Sequence, residues 1–397
     1  MDFLSQEENS WLLSLKKISG SKIAESELTS NYCRNPYNLL RWMYAYEGDL
    51  ESSSKKLNRH LRIREILDLD NIECFDENNG LDEEADNYAP WNVIGRISQE
   101  DNRILIIEQS GKFDLQKMMK SIRITPFMLN RFRNMEKVLN QIGLQEKRDG
   151  RMSSAVLVID LEGLSFQPNL IGFISGPYRI LWGTLIEQYP YLISQILVVN
   201  TPTFMSVLWN ACSAFIPAEY KKKIQFLGND WKNEITSFLP ASCLPRMYSG
   251  TLCDTVIKSP SPCEVAIPKA ELAFDEVLLE SVIVPAGGFV VHTFHFNQDD
   301  EVEFFMKHDQ EFTMNIFFDE FRRSVQNPEK DLEDMTEMYA GCERPGIPTL
   351  DHWKWRVPRT GFYYAIYGNE KAWIMSVNFK YQIFRSQAGM KIKVNPL

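Results

Sequence analysis

From residue 90 to residue 252 the chain alternates between short apolar runs and longer segments of helical length. The runs are "RILIIEQ", "SSAVLVIDLEG" and "ISQILVVNTP"; between them lie "ITPFMLNRFRNMEKVLNQIGLQEK" and "PNLIGFISGPYRILWGTLIEQYP". Strands that read as near-continuous apolar stretches are buried on both faces, which happens where crossover helices cover a parallel sheet. The pattern therefore predicts an α/β lobe around a largely parallel sheet. It stops at "VIKSPSPC", an extended Pro/Ser linker. Beyond it, "LLESVIVPAGGFVVHTFHFNQDDEVEFFMKH", "EFTMNIFFDEF" and "TGFYYAIYGNEKAWIMSVNFKYQIF" alternate aromatic and β-branched residues between Gly, Asn and Asp turns, the pattern of an all-β sandwich. Residues 321–351 fit no strand and read as a long excursion from that sandwich.

Residues 1–75 read as a small all-α domain. Within them "NPYNLLRWMYAYEGDLESSSKKLNRHLRIREILDL" gives two amphipathic helices broken at Gly48-Asp49, with Leu57, Leu61 and Ile63 or Ile66 on the second apolar stripe. Nine carboxylates follow from Asp68 to Asp86 with no Lys or Arg, and their spacing does not fit a calcium loop, so a solvated acidic linker is expected. The predicted organisation is a helical domain over 1–75, an acidic linker over 76–89, the α/β lobe over 90–255, a linker over 256–262, the β-sandwich over 263–386 and a tail over 387–397.

Several function classes fall away. A net charge of -10 argues against nucleic acid as a partner. No stretch reaches the roughly eighteen uncharged apolar residues of a membrane span, and "MDFLSQEENSWLLSLKK" lacks the basic start of a signal peptide. Seven scattered cysteines, none spaced CxxC, suit reduced thiols and a cytoplasmic chain. There is no GxSxG, Walker loop, GxGxxG or HExxH. His292 and His295, three apart on a strand, face opposite ways and make no metal site. Asp160 and Glu162 share a strand face at a sheet end where α/β folds place active sites, but they have no evident proton-transfer partner. Neither enzyme activity nor a cofactor is expected.

"TFMSVLWNACSAFIP", residues 203–217, is harder to place. Pro202 and Pro217 bound a helix-length segment. Phe204, Met205, Val207, Leu208, Trp209, Ala211, Cys212, Ala214, Phe215 and Ile216 surround it. Such a helix is normally buried all round, yet this one leads straight into "EYKKK". Either it is a core helix, or its second face touches something else.

The order of the motifs resembles one family. "NLLRWMYAYEGDLESSSKKLNRHLRIREIL" is similar to the helical leader of CRAL-TRIO lipid-binding proteins. "VLVIDLEGLS" resembles that family's D-x-E-G-L strand end through Asp160, Glu162, Gly163 and Leu164, and "YPYLISQILVVNTP" its Y-P…N-x-P strand through Tyr189, Pro190, Asn200 and Pro202. "KKKIQFLGND" and "LPRMYSG" resemble the segments that close the lobe. Through Gly361, Tyr363, Tyr367 and Asn369 the C-terminal segment resembles a GOLD domain.

The resemblance implies that the helix over 203–216 gates an apolar pocket lined by Val156, Val158, Ile171, Ile174, Leu181, Val198, Phe204, Leu208 and Phe215. Trp209 with Lys221, Lys222 and Lys223 would meet the membrane or a lipid head group. Phosphoinositide-binding members carry a basic pair, a Glu and a Thr where this chain has Tyr46 and Glu47, Tyr191, and Tyr220; only Lys223 is kept. A phosphate clamp needs several charge-assisted donors, so a sterol precursor, an isoprenoid, a neutral lipid or a phospholipid read in another way is expected. The implied function is binding and intermembrane transfer of such a lipid by a cytoplasmic, transiently membrane-associated protein, with the GOLD domain contacting protein or membrane. An adaptor with a vestigial pocket is the alternative.

Overall fold

The computed structural model describes residues 4–25, 30–71, 81–167, 170–262, 274–387 and 390–397. The chain divides into two compact units. One comprises Met1–Leu115, Leu129–Ser175 and Leu185–Pro262, the other Gln116–Met128, Gly176–Thr184 and Cys263–Leu397.

The first unit opens on the helices Gln6–Glu25, Ser30–Arg34, Pro36–Ala45 and Leu50–Ile66. Their boundaries follow from local chemistry. Asn35 accepts from the Tyr37 N–H ahead of Pro36 at the first helical position. Gly48, at φ +82°, makes the turn that the sequence placed there, and Asp49 caps the next helix by accepting from Glu51 and Ser52. Leu57, Leu61 and Ile63 are buried along its inner stripe. Residues 72–80, the end of the expected helical domain and the start of the expected acidic linker, lie outside the described residues; Leu81–Tyr88 is a helix rather than linker.

Buried ion pairs tie the leader helices to the lobe. Arg64 donates to Glu136 (2.6 Å), which also accepts from the Tyr189 hydroxyl (2.6 Å), and Arg41 pairs with Glu146 while donating to the Ser153 carbonyl (2.8 Å). Burying such charges is tolerable only because each finds partners.

Five strands build the sheet: β1 (Asn92–Arg96), β2 (Ile104–Glu108), β3 (Ala155–Asp160), β4 (Ile193–Val199) and β5 (Ile224–Phe226), in that spatial order. β1 runs antiparallel to β2; the other pairings are parallel. All five residues of β2 are buried, as its apolar run requires. One face carries Leu105, Ile107, Val156, Val158, Leu197 and Val199, packed by Trp231, Ile235, Leu239, Leu244 and Tyr248 from the segment after β5. The Pro/Ser segment expected to be a free linker is tied to this unit: Lys258 donates its N–H to Asn92 (2.7 Å) and Ser261 to the Asn87 carbonyl (2.8 Å).

In the second unit β6 (Glu280–Val284), β7 (Phe289–Phe296), β8 (Glu301–Lys307), β9 (Phe312–Asp319), β10 (Thr336–Arg344), β11 (Leu350–Arg356), β12 (Gly361–Gly368), β13 (Val377–Gln387) and β14 (Met390–Val394) form two antiparallel sheets. One has the order β10-β9-β12-β7, the other β11-β8-β13-β14 with β6 also on β13. Phe294, Phe304, Phe312, Tyr363, Tyr367 and Phe379 fill the core between them. Two expectations are corrected here. Residues 321–351 are not all excursion, since they include β10; two register shifts against β9 break the alternation that would have marked it. Residues 387–397 are not a tail, because Met390–Val394 pairs with β13.

Candidate functional site

The polar end of β3 is a framework. Asp160 is buried; its Oδ1 accepts from the Glu162 N–H (2.9 Å) and from Asn200 Nδ2 (2.8 Å), its Oδ2 from the Tyr248 hydroxyl (2.7 Å). Asn200 in turn accepts from the Trp231 indole N–H (2.7 Å), and Gln109 donates to the Tyr248 hydroxyl (3.3 Å). Glu162 faces water, so the two carboxylates diverge instead of sharing a face. Gly163 holds φ +89°, and a Cβ on Gly111 would fall 2.2 Å from the Leu161 carbonyl carbon, so the turn needs both glycines. The network fixes Asn200 (φ +52°), the residue just past the end of β4, where the chain enters the Pro202 segment.

That segment forms a helix over Met205–Cys212, then one tight turn over Ser213–Phe215 before Pro217. Among its described side chains only Leu208 is buried, at 2% exposure. Met205, Trp209 and Cys212 are half-buried, while Ser206, Val207 (47% exposed) and Asn210 face out. The wholly buried core helix is therefore not what the structure has. The Phe204 ring stands edge-on to Phe166 at 5.4 Å, and the Trp209 ring edge-on to Phe226 at 5.2 Å. Phe226 is in register with Val198, and Val198 with Ile159, so these three share a sheet face and Trp209 lies over it.

Val198 is thus on the helix side of the sheet. Val156 and Val158 are not: both are fully buried on the opposite face against Trp231 and Tyr248. Their neighbours Leu157 and Ile159 point toward the helix side. A strand buried on both faces has no polar alternation to reveal which residues face which layer. Ile171 and Ile174 are half-buried at the helix Leu170–Phe173 and the wider turn after it. Leu181 is buried in the stretch 176–184 that belongs to the second unit. The side chain of Phe215 lies outside the described residues.

Of the three lysines, Lys221 and Lys222 are exposed. Lys223 is enclosed. Its ammonium sits 4.5 Å from the Tyr220 ring centre and 4.9 Å from that of Tyr191, and donates to the Ile193 carbonyl (3.0 Å). Burial pushes its pKa below the usual lysine range. Tyr191, held at φ +59°, stacks on Tyr44 at 5.5 Å. Two positions that differ from the resembled clamp, Tyr191 and Tyr220, therefore meet the one lysine kept, while Glu47 faces water. Tyr44 was not foreseen; the aromatic run "WMYAY" was the available signal.

His292 and His295 do diverge, the first meeting the Tyr381 hydroxyl at 2.6 Å and the second lying edge-on to Phe362. No helix among the described residues is long and apolar enough to cross a membrane.

Residues 93–250 match the family model of the CRAL/TRIO domain, and residues 265–393 match the family described as F28H7_8_C-like, C-terminal domain. Similar proteins include the CRAL-TRIO domain-containing protein F28H7.8 of Caenorhabditis elegans, 25% identical over 363 residues that cover 90% of this chain and 87% of the relative. Protein ctg-1 of Caenorhabditis elegans is 20% identical over 54% of this chain and 55% of its own length. The phosphatidylinositol/phosphatidylcholine transfer protein SFH9 of Arabidopsis thaliana is 24% identical over 54% of this chain and 37% of its own. This chain thus spans about half or less of the last two. The crystal structure of Sfh5 superposes with a TM-score of 0.46 at 16% identity, over 60% of this chain and 85% of that one.

Proposed function

We propose that the first unit binds a hydrophobic lipid under the helix Met205–Cys212 and passes it between membranes, with that helix as the gate. The observation carrying this reading is the helix itself: an apolar segment in which Leu208 is the one fully buried residue among the described side chains, with Trp209 over the Ile159–Val198–Phe226 face and Val207 turned to water. Removing a chain from water is worth about 0.8 kcal/mol per methylene. A long-chain lipid therefore desorbs slowly unaided, whereas exchange between a bilayer and an apolar pocket is close to neutral. A hinged apolar helix supplies the dry route. The pocket wall in this reading is Ile159, Val198, Phe204 and Trp209, not Val156 and Val158.

The ligand is one whose head group needs no cation cluster: a sterol precursor, an isoprenoid, a neutral lipid or a phospholipid bound through its chains. Lys223 spends its hydrogen bond and its charge on Ile193, Tyr191 and Tyr220. The protein works in the cytoplasm in transient contact with membranes, and its GOLD-like sandwich adds a contact to protein or bilayer.

Native mass spectrometry of the purified chain tests the first claim; co-purified lipid is expected. A chain that stays lipid-free and moves no lipid between vesicles would leave the adaptor reading in its place. In a vesicle assay, transfer of phosphatidylinositol should exceed that of neutral lipids by less than about tenfold. A stronger preference would show a head-group clamp built from other residues.

A further inference from the structure

One run of three consecutive large apolar side chains is exposed among the described residues: Trp373 at 96%, Ile374 at 89% and Met375 at 68%. They sit in the loop "NEKAWIMS", residues 369–376, between β12 and β13 in the second unit. The base of this loop is clamped. Asn369 is buried; its Nδ2 donates to the carbonyls of Met375 (2.9 Å), Pro285 (3.3 Å) and Val284 (3.5 Å). Its own N–H donates to Gly288 (2.8 Å), and its carbonyl accepts from Gly287 and Ala372 (both 3.1 Å). Six hydrogen bonds thus fix where the tip stands, while the tip's apolar side chains project into water.

We infer that this tip inserts into the interfacial layer of a bilayer. The inference deepens the reading of the C-terminal unit as a contact module and is independent of the lipid pocket. A tryptophan beside aliphatic side chains suits the boundary between head groups and chains, where the indole ring is apolar and its N–H stays hydrated. The charges beside the tip select the kind of surface. Glu370 and Lys371 cancel, and Lys371 is moreover paired with Glu343. With no net positive charge to match an anionic membrane, the surface it fits is zwitterionic, as phosphatidylcholine presents.

The test is sedimentation of the full chain with phosphatidylcholine vesicles, comparing wild type with a Trp373→Ser/Ile374→Ser double variant. Phe321→Ser serves as the control, another exposed aromatic (71%) in the segment after β9. The double variant should bind at least about tenfold more weakly, with its thermal midpoint unchanged because the side chains it loses touch little. The control should bind as wild type does, and added salt should not weaken binding. Wild-type binding by the double variant would overturn the inference, as would binding that requires anionic lipid and falls with salt. If the wild-type chain carries no lipid yet needs Trp373 to hold vesicles, the pocket reading fails and this one stands.

Discussion

Asp160 shows how a residue suggestive in sequence becomes framework in structure. A buried carboxylate at the end of a parallel strand is a familiar place for chemistry, but three donors engage both of its oxygens: a backbone N–H, an amide and a phenol. Its Tyr248 partner has its pKa pushed well up, chiefly by burial and then by the carboxylate itself, so it stays a hydroxyl donor. Asp160→Asn keeps the shape but leaves one carbonyl oxygen where two accepted, and it turns an amide toward either Asn200 or Tyr248. A loss of roughly 1–3 kcal/mol in unfolding free energy is expected from the stranded donors, read by urea denaturation. Full stability in that variant would mean that the network does not hold the turn. The D-x-E-G spacing located this residue correctly; what it does depends on Asn200 and Tyr248, 40 and 88 residues away, which no local pattern supplies.

Elements were legible where one rule governs them. The strands β2, β3 and β4 announced themselves because burial on both faces demands apolar runs. The same rule hid which face Val156 and Val158 take. β10 escaped because its register shifts place "AGC" where alternation should run. The helix Met205–Cys212 was legible as an element, while its orientation needed the structure, and that orientation sharpens the test of the proposed gate. Val207 lies outward, so Val207→Asp should change stability by no more than about 0.5 kcal/mol. A charge there must enter lipid when the helix meets a bilayer, at a cost of up to roughly 3 kcal/mol, so vesicle transfer should fall about tenfold or more. Leu208→Asp, on the packed face, should cost both transfer and a few kcal/mol of stability. A gate is excluded if Val207→Asp transfers lipid at the wild-type rate with its fold intact.

On the scale of the whole molecule, each unit buries a neutral histidine, and this ties the stability of both to pH. His60 in the first unit donates Nδ1–H to Gln188 Oε1 (3.1 Å), and His308 in the second donates Nδ1–H to the Gln310 carbonyl (3.0 Å). In both rings Nε2 has no hydrogen-bond partner among the described residues. A second proton would thus be buried with nothing to accept it, beside Arg64 in one case and Arg344 in the other. Burial first, and the neighbouring arginine next, push each pKa down to about 3 from an ordinary 6.5. Between those values the unfolded chain binds protons that the folded chain refuses. The stabilisation is complete above pH 6.5 and is lost as pH falls, by about 1.4 kcal/mol per pH unit for each histidine. At pH 5 that is roughly 2 kcal/mol from each unit. Glu136, whose carboxyl burial raises, works with the opposite sign in the acid range, so the comparison must be made between variants. His60→Gln should be less stable than wild type at pH 7.5, but its stability should fall less steeply toward pH 5, the two curves drawing together. His308→Gln should behave likewise through the second unit. Parallel curves for wild type and variant between pH 7.5 and 5 would show that these rings are not what makes the fold sensitive to acid.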